Sequence, residues 1–333
     1  MNTKQAQNIL QNAKRIGIVR TDKLGDMVLT LPLAHALHER FPNASIEMIA
    51  QQYVAPLLNN SPVLSAVHYT NQQPLQDVLR THSFDALFFP RMRDNECYAA
   101  WRANVPLRVG SGYRWYSWML NYRIKQHRKT AERNEAEYNV AMLGAILGET
   151  ITPQLVAPIV SEQQKQNVRQ ILQQHGTTKD TPLLVFHPGS GGSSHDWPAN
   201  RFGEAAQQIA QLYSNASILI TGIHSESTLC NTVAEQCPQA INLCGKLDLP
   251  AMIALLSQSQ LLVANSTGVL HIAASFGTAV VGLYPNTPAI SARRWGPYST
   301  NSRTVSPPMG DDMNTISADS VVRSIQELLV ANA

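Results

Sequence analysis

The loops of this 333-residue chain hold side chains suited to two kinds of chemistry. The first is proton transfer. Arg20-Thr21-Asp22-Lys23-Leu24-Gly25-Asp26 follows a short β-type run (Ile16, Ile18, Val19) and opens a helical stretch. An Asp26 carboxylate at a helix N-terminus is held ionised by the helix dipole. Beside a bound hydroxyl it can act as a general base; read on its own, it can equally be a helix cap. Arg20 and Lys23 place positive charge next to it.

The second is anion binding by backbone and hydroxyl donors. His187-Pro188-Gly189-Ser190-Gly191-Gly192-Ser193-Ser194-His195-Asp196-Trp197-Pro198 follows an apolar run and is rich in N–H and O–H groups, a composition suited to a diphosphate. His195 is the side chain here that can add positive charge, and Trp197-Pro198 is expected to lock the next helix start. A second such turn, Asn265-Ser266-Thr267-Gly268, follows Leu261-Leu262-Val263-Ala264. Asn265, Ser266 and Thr267 can each cap the following helix. Gly268 lets the backbone approach a ligand. The N–H groups at the helix start then face a phosphate, with His271 one turn on. Between these turns, Glu226 follows another strand at a distance that suits a ribose diol, although a plain helix-start glutamate fits equally well. Lys246 and Leu247, after Cys244-Gly245, can flank a base or a phosphate.

Other chemistries lack their signatures. The first turn has no Gly-x-Gly-x-x-Gly dinucleotide fingerprint, which argues against an oxidoreductase, and the second has no Walker Gly-Lys-Ser/Thr. No Asp-x-Asp pair is present to hold a divalent ion, and the four cysteines form no C-x-x-C pair, so no metal site is expected.

A basic and aromatic stretch runs from 91 to 129. Its arginines, among them Arg91, Arg93 and Arg114, alternate with tryptophans and tyrosines. This suits an anionic, partly apolar acceptor at a membrane face; the alternative is a solvated basic face. Arg20, Lys23, Arg91, Arg93 and Arg114 are the candidate acceptor contacts.

These loops need a scaffold that delivers them to one edge. Strands are expected at 15–19, 46–50, 67–69, 86–89, 183–187, 217–221, 240–243, 261–264 and 279–284, the last of them final. Helices are expected at 27–40, 53–60, 75–81, 134–147, 163–175, 201–211, 228–236, 250–257, 270–276 and 318–329. Strand–helix alternation in both halves predicts an α/β chain with two parallel sheets wrapped by helices. Residues 91–129 read as irregular and 148–160, with Pro153 and Pro158, as a linker. The expectation is two doubly wound domains, 1–155 and 156–333, facing a central cleft, with ligands at the carboxyl ends of the strands. The last helix is expected to pack back on the first domain.

Bulk properties agree with a globular protein: 44% hydrophobic and 15% charged residues. A net charge of +3 is too mild for a duplex nucleic-acid binder. The N-terminus lacks a signal-like apolar run, and no window has the roughly 18 apolar residues needed to cross a bilayer. A reducing, cytoplasmic setting is the default.

Taken in this order, the segments resemble glycosyltransferase family 9, the heptosyltransferase-like enzymes. The matching pieces run from Arg20 to Pro32 (RTDKLGDMVLTLP), from His187 to Gly192 with Trp197-Pro198, and Asn265 to Gly268 with His271-Ile272-Ala273-Ala274; Arg294 to Tyr298 (RWGPY) is a late fourth. The resemblance implies a GT-B fold of two Rossmann-like domains, the acceptor on the first and the nucleotide sugar on the second. It implies inverting, metal-independent transfer, with no cofactor, of a heptose from ADP-heptose onto an anionic lipid-linked oligosaccharide of the lipopolysaccharide core. The setting would be the inner face of the cytoplasmic membrane. By that similarity Asp26 is the base, Ser190 and Gly191 hold phosphate, Glu226 holds ribose, Leu247 packs near the base, and Thr267, Gly268 and His271 form the donor turn. Ser194, His195, Lys246 and Ser266 are further candidate donor contacts, read from the loops themselves. The family often has Asp where this chain has Ser266, and Lys or Arg where it has His195. Another nucleotide sugar (a hexose or N-acetylhexosamine), or donor binding without turnover, are the alternatives.

Overall fold

A computed structural model describes residues 1–177 and 181–331. The second expected domain, 156–333, includes 178–180 and 332–333, which lie outside the described residues. Contacts group the chain into two compact units. One is Met1–Arg128 with Arg133–Ile159; the other is Lys129–Glu132 with Val160–Ala333.

The first unit holds one parallel sheet of β1 (Arg15–Val19), β2 (Ser45–Ala50), β3 (Ala66–Tyr69), β4 (Ala86–Phe89), β5 (Leu107–Ser111) and β6 (Tyr122–Ile124), in the order β3-β2-β1-β4-β5-β6. The second holds β7 (Leu183–His187), β8 (Ser217–Ile220), β9 (Ile241–Asn242), β10 (Leu261–Asn265), β11 (Ala279–Leu283) and β12 (Ser302–Val305), in the order β12-β11-β10-β7-β8-β9. Counted from its own first strand, each sheet has the doubly wound order 3-2-1-4-5-6. Strand order reverses between β1 and β4 in one sheet and between β7 and β10 in the other. Those are the points where such sheets open a crevice for ligands.

The central strands are apolar and buried along their length, as parallel strands covered on both faces must be. In the second unit Phe186, Val263 and Val281 meet Phe202 and Ile209 from the helix Ala199–Leu212. The helix Ala318–Ala331 adds Val321, Ile325 and Leu328 to the same core, so its apolar face is spent within the second unit.

Several expectations need correction. The stretch 91–129 is ordered: it forms the helix Asp94–Arg102, β5, the 3-10 helix Trp115–Met119 and β6. The strand at 279–284 is not the last, because β12 pairs beyond it. The helix expected over 27–40 is two, Leu24–Val28 and Leu31–Arg40, the second entered through a proline in its first turn. The N-terminus forms the helix Thr3–Gln11, started by an Asn2–Gln5 capping box.

Candidate functional site

In the first unit the turn after β1 closes around a buried guanidinium. Arg20 is 2% exposed; its Nε donates to Asp22 at 2.6 Å, and a second guanidinium nitrogen donates to Asp26 Oδ1. Glu135, also 2% exposed, lies 3.8 Å from Arg20 and pairs with Arg128 as well. Burial works against the charge on Arg20, but Asp26, Asp22 and Glu135 outweigh it and hold the group firmly protonated. Burial likewise pushes the Asp26 carboxyl above its ordinary value, with Arg20 opposing and Asp22 and Glu135 adding to the rise. Asp26 lies in the first turn of the helix Leu24–Val28, and Thr30 Oγ1 donates to its carbonyl at 2.7 Å. Its carboxyl is thus oriented by one cation and held above its ordinary pKa by burial.

The neighbouring strand ends reach the same turn. Tyr53, after β2, donates its hydroxyl to the Asp22 carbonyl at 2.5 Å. From the loop after β4, Arg91 lies 3.4 Å from Asp22 and Arg93 donates to the Thr21 carbonyl at 3.4 Å. Glu96, whose carboxyl burial pushes up, accepts from Thr21 Oγ1 at 2.5 Å. The structure therefore gathers Arg20, Lys23, Asp26, Arg91 and Arg93 at the switch point of the first sheet. Arg114 heads the 3-10 helix Trp115–Met119, which packs on the helix Asp94–Arg102 and β5. Sequence reasoning missed Glu135, Tyr53 and Glu96. Glu135 sits behind an Asn134–Glu137 capping box and reads as an ordinary helix start.

In the second unit the turns after β7 and β10 are joined by one side chain. Asn265, fully buried, accepts from the Trp197 backbone N–H at 2.9 Å and donates to the Pro188 carbonyl at 2.6 Å. This corrects the expected capping: Asn265 is spent on the bridge, and Thr267 is the N-cap of the helix Gly268–Ser275 without a side-chain cap bond. Ser266 hydrogen-bonds Tyr284, and Tyr284 donates to the Trp295 carbonyl at 2.8 Å. Trp197, buried against Phe202 at 4.8 Å, donates to the Ile316 carbonyl at 3.0 Å and fixes the start of the helix Ala199–Leu212.

The turn after β8 completes this end of the sheet. Glu226 is 9% exposed and accepts from the N–H groups of Gly191 at 3.2 Å and Ile223 at 2.9 Å. A side chain at Gly189 would put its Cβ 2.0 Å from the Glu226 carboxylate, so only glycine fits there. Glu226 thereby ties the loop after β7 to the one after β8. Ser190 is buried nearby. The Ser194 hydroxyl and His271 Nδ1 are buried without a hydrogen-bond partner among the described residues. Orphaned buried groups of this kind are costly unless a ligand or water meets them. Burial drives His271 down to about 4, which leaves its imidazole neutral. His195 is exposed in the loop after β7; Lys246 and Leu247 follow Gly245, whose φ of +69° turns the chain beside His224.

Two doubly wound sheets, one with an oriented carboxylate at its switch point and the other with a donor-rich, glycine-dependent turn, define an α/β protein of the GT-B type. The family model for glycosyltransferase family 9 (heptosyltransferase) matches residues 75–320, and the chain belongs to that family. It is a glycosyltransferase. Among its relatives is lipopolysaccharide heptosyltransferase 2 of Salmonella typhimurium, 24% identical over 82% of this chain and 84% of the relative. Two solved structures share the fold. A family 9 glycosyltransferase from Veillonella parvula superposes with a TM-score of 0.84 at 21% identity, covering 96% of this chain and 97% of that one. E. coli ADP-heptose lps heptosyltransferase II gives 0.79 at 21% identity, over 96% and 99%.

Proposed function

We propose that this enzyme transfers a heptose from ADP-heptose to an anionic, lipid-linked oligosaccharide of the lipopolysaccharide core, with inversion and without a metal ion. The first unit is the acceptor side and the second the donor side. The protein works in the cytoplasm, peripheral to the inner membrane. The observation that carries this reading is the Asp26 carboxyl at the switch point of the first sheet, oriented by buried Arg20 and raised above its ordinary value by burial.

In the reaction Asp26 takes the proton of an acceptor hydroxyl while that oxygen attacks the anomeric carbon. The bond to the nucleoside diphosphate breaks on the opposite side, and charge builds on the departing phosphate. Ser190, Gly191, Ser194 and His195, with the helix start at Ser266, Thr267 and Gly268, supply donors to that charge. His271, neutral and without a partner at Nδ1 among the described residues, can also donate or accept there. Glu226 and the Lys246-Leu247 segment frame the nucleoside, and Lys23, Arg91 and Arg93 draw in the anionic acceptor. The names and family of the relatives support heptose and ADP as the donor's parts.

The test is Asp26→Asn. Turnover, read as ADP release in the presence of acceptor, is expected to fall by about 10²–10⁴-fold. ADP binding should be unchanged. Turnover at the wild-type rate would remove Asp26 from the role of base.

A further inference from the structure

Large exposed aromatic side chains crowd onto one surface of the first unit. Tyr98 and Trp101 stand 45% and 36% exposed on the helix Asp94–Arg102; Trp115 and Trp118 stand 77% and 52% exposed on the 3-10 helix that packs against it. Tyr98 and Trp101 are 5.8 Å apart and Trp101 and Trp118 5.4 Å, so three rings form a continuous ridge. The ridge has a firm base. Ser117 and Met119, alternating with the tryptophans, point inward and are buried. Ser117 Oγ accepts from the Arg114 N–H at 3.0 Å and donates to the Ser111 carbonyl at 2.8 Å, and Arg108 donates to the Met119 carbonyl at 2.7 Å. The indoles are therefore held outward by the local fold.

Charge completes the pattern. Residues 91–133 carry ten basic against three acidic side chains, whereas the rest of the chain carries sixteen against twenty. Arg102 and Arg114, both exposed, are the chain neighbours of Trp101 and Trp115. A clustered apolar surface of this kind marks an interaction site. Indole and phenol rings beside arginines are the side chains that settle at the headgroup level of a bilayer. Basic residues there gain from anionic lipid.

We propose that the Tyr98–Trp101–Trp118 ridge, with Trp115, is the surface by which the protein docks on an anionic lipid bilayer. The ridge adjoins the loop of Arg91 and Arg93, since Tyr116 donates its hydroxyl to the Met92 carbonyl at 3.0 Å. The proposal deepens the membrane setting given above, but its test needs no transfer activity, so either can fail alone.

The full chain is sedimented with vesicles of phosphatidylglycerol and phosphatidylethanolamine, and with phosphatidylcholine vesicles as the neutral arm. Wild type is expected to bind the anionic vesicles, more weakly as salt rises, with a blue shift of tryptophan emission. Trp115→Ser with Trp118→Ser is expected to lose about tenfold or more in partitioning, from the apolar area no longer buried. Arg102→Gln with Arg114→Gln should lose the preference for anionic over neutral lipid. Both variants should keep the wild-type response to ADP in thermal melts, which shows that they fold. The proposal is overturned if wild type stays in the supernatant, if the tryptophan variant binds as wild type does, or if the ridge proves to be covered by a second copy of the chain in solution.

Discussion

At the scale of the residue, the proposed chemistry turns on how Arg20 sets Asp26. Arg20 sits near Lys23 in sequence and reads there as a contact for an anionic acceptor. The fold instead buries it among Asp22, Asp26 and Glu135. Spacing cannot show burial, and Glu135 arrives from a distant helix, so the cluster was not legible in advance. Asp26 was, because a carboxylate in a polar turn between strand and helix is a local pattern. A pH prediction follows from the cluster. Asp26 must be ionised to accept a proton, so kcat/KM should fall as pH falls through its pKa. Burial holds that pKa above the ordinary carboxylate value, and the charge on Arg20 pulls it back down. Arg20→Met removes the downward pull, so the acid limb of the pH–rate profile should move to higher pH, with a rate loss of about tenfold or more at neutral pH. Arg20→Lys, which keeps the charge, should restore much of the limb's position. An unmoved limb in Arg20→Met would show that the pair does not set the base.

Elements, rather than single residues, place the donor-rich turns. Strands β7 and β10 are direct neighbours, with Ala264 opposite His187, so their following turns must emerge side by side. Asn265 then welds them through Pro188 and Trp197. Asn265→Ala would leave a buried carbonyl and a buried N–H without partners, at a cost of about 1–3 kcal/mol for each unsatisfied group. We expect a lower melting temperature and at least tenfold weaker ADP binding by calorimetry; wild-type affinity would mean that the turn holds its shape without the bridge. The strands carrying these turns were legible because each is a continuous apolar run. Strands β5, β6 and β12 were not. Leu107-Arg108-Val109-Gly110-Ser111 has two apolar positions, and its glycine is there because Leu120 and Met92 fill the space a Cβ would need. Tyr122-Arg123-Ile124 and Ser302-Arg303-Thr304-Val305 end their sheets with one neighbouring strand each, where polar side chains are tolerated. Their pairing is a property of the sheet, and no local pattern announces it.

At the scale of the whole molecule, the two units share a strand order but carry different equipment at their switch points. Buried ion pairs gather in one, and neutral donors and glycines in the other. Among the described residues no helix is long and apolar enough to cross a membrane. This division predicts where a nucleotide should act. If the second unit alone holds the donor, ADP should stabilise the unfolding transition that contains it. By mass action, ligand at 100 times its dissociation constant adds about 2.7 kcal/mol. For a unit of this size that raises the melting temperature by roughly 5–10 °C. Gly189→Ala should abolish the shift, since the new Cβ displaces Glu226 from the loop it ties down. Asp26→Asn should preserve it, since that carboxyl belongs to the other unit. Comparing ADP with UDP and GDP reads the nucleoside preference in the same melts, and this matters because Ser266 and His195 depart from the residues the family often has there. A larger shift with UDP or GDP would reassign the donor while leaving the turn as its site. No shift with any of the three, at millimolar concentration, would remove the donor from the second unit altogether.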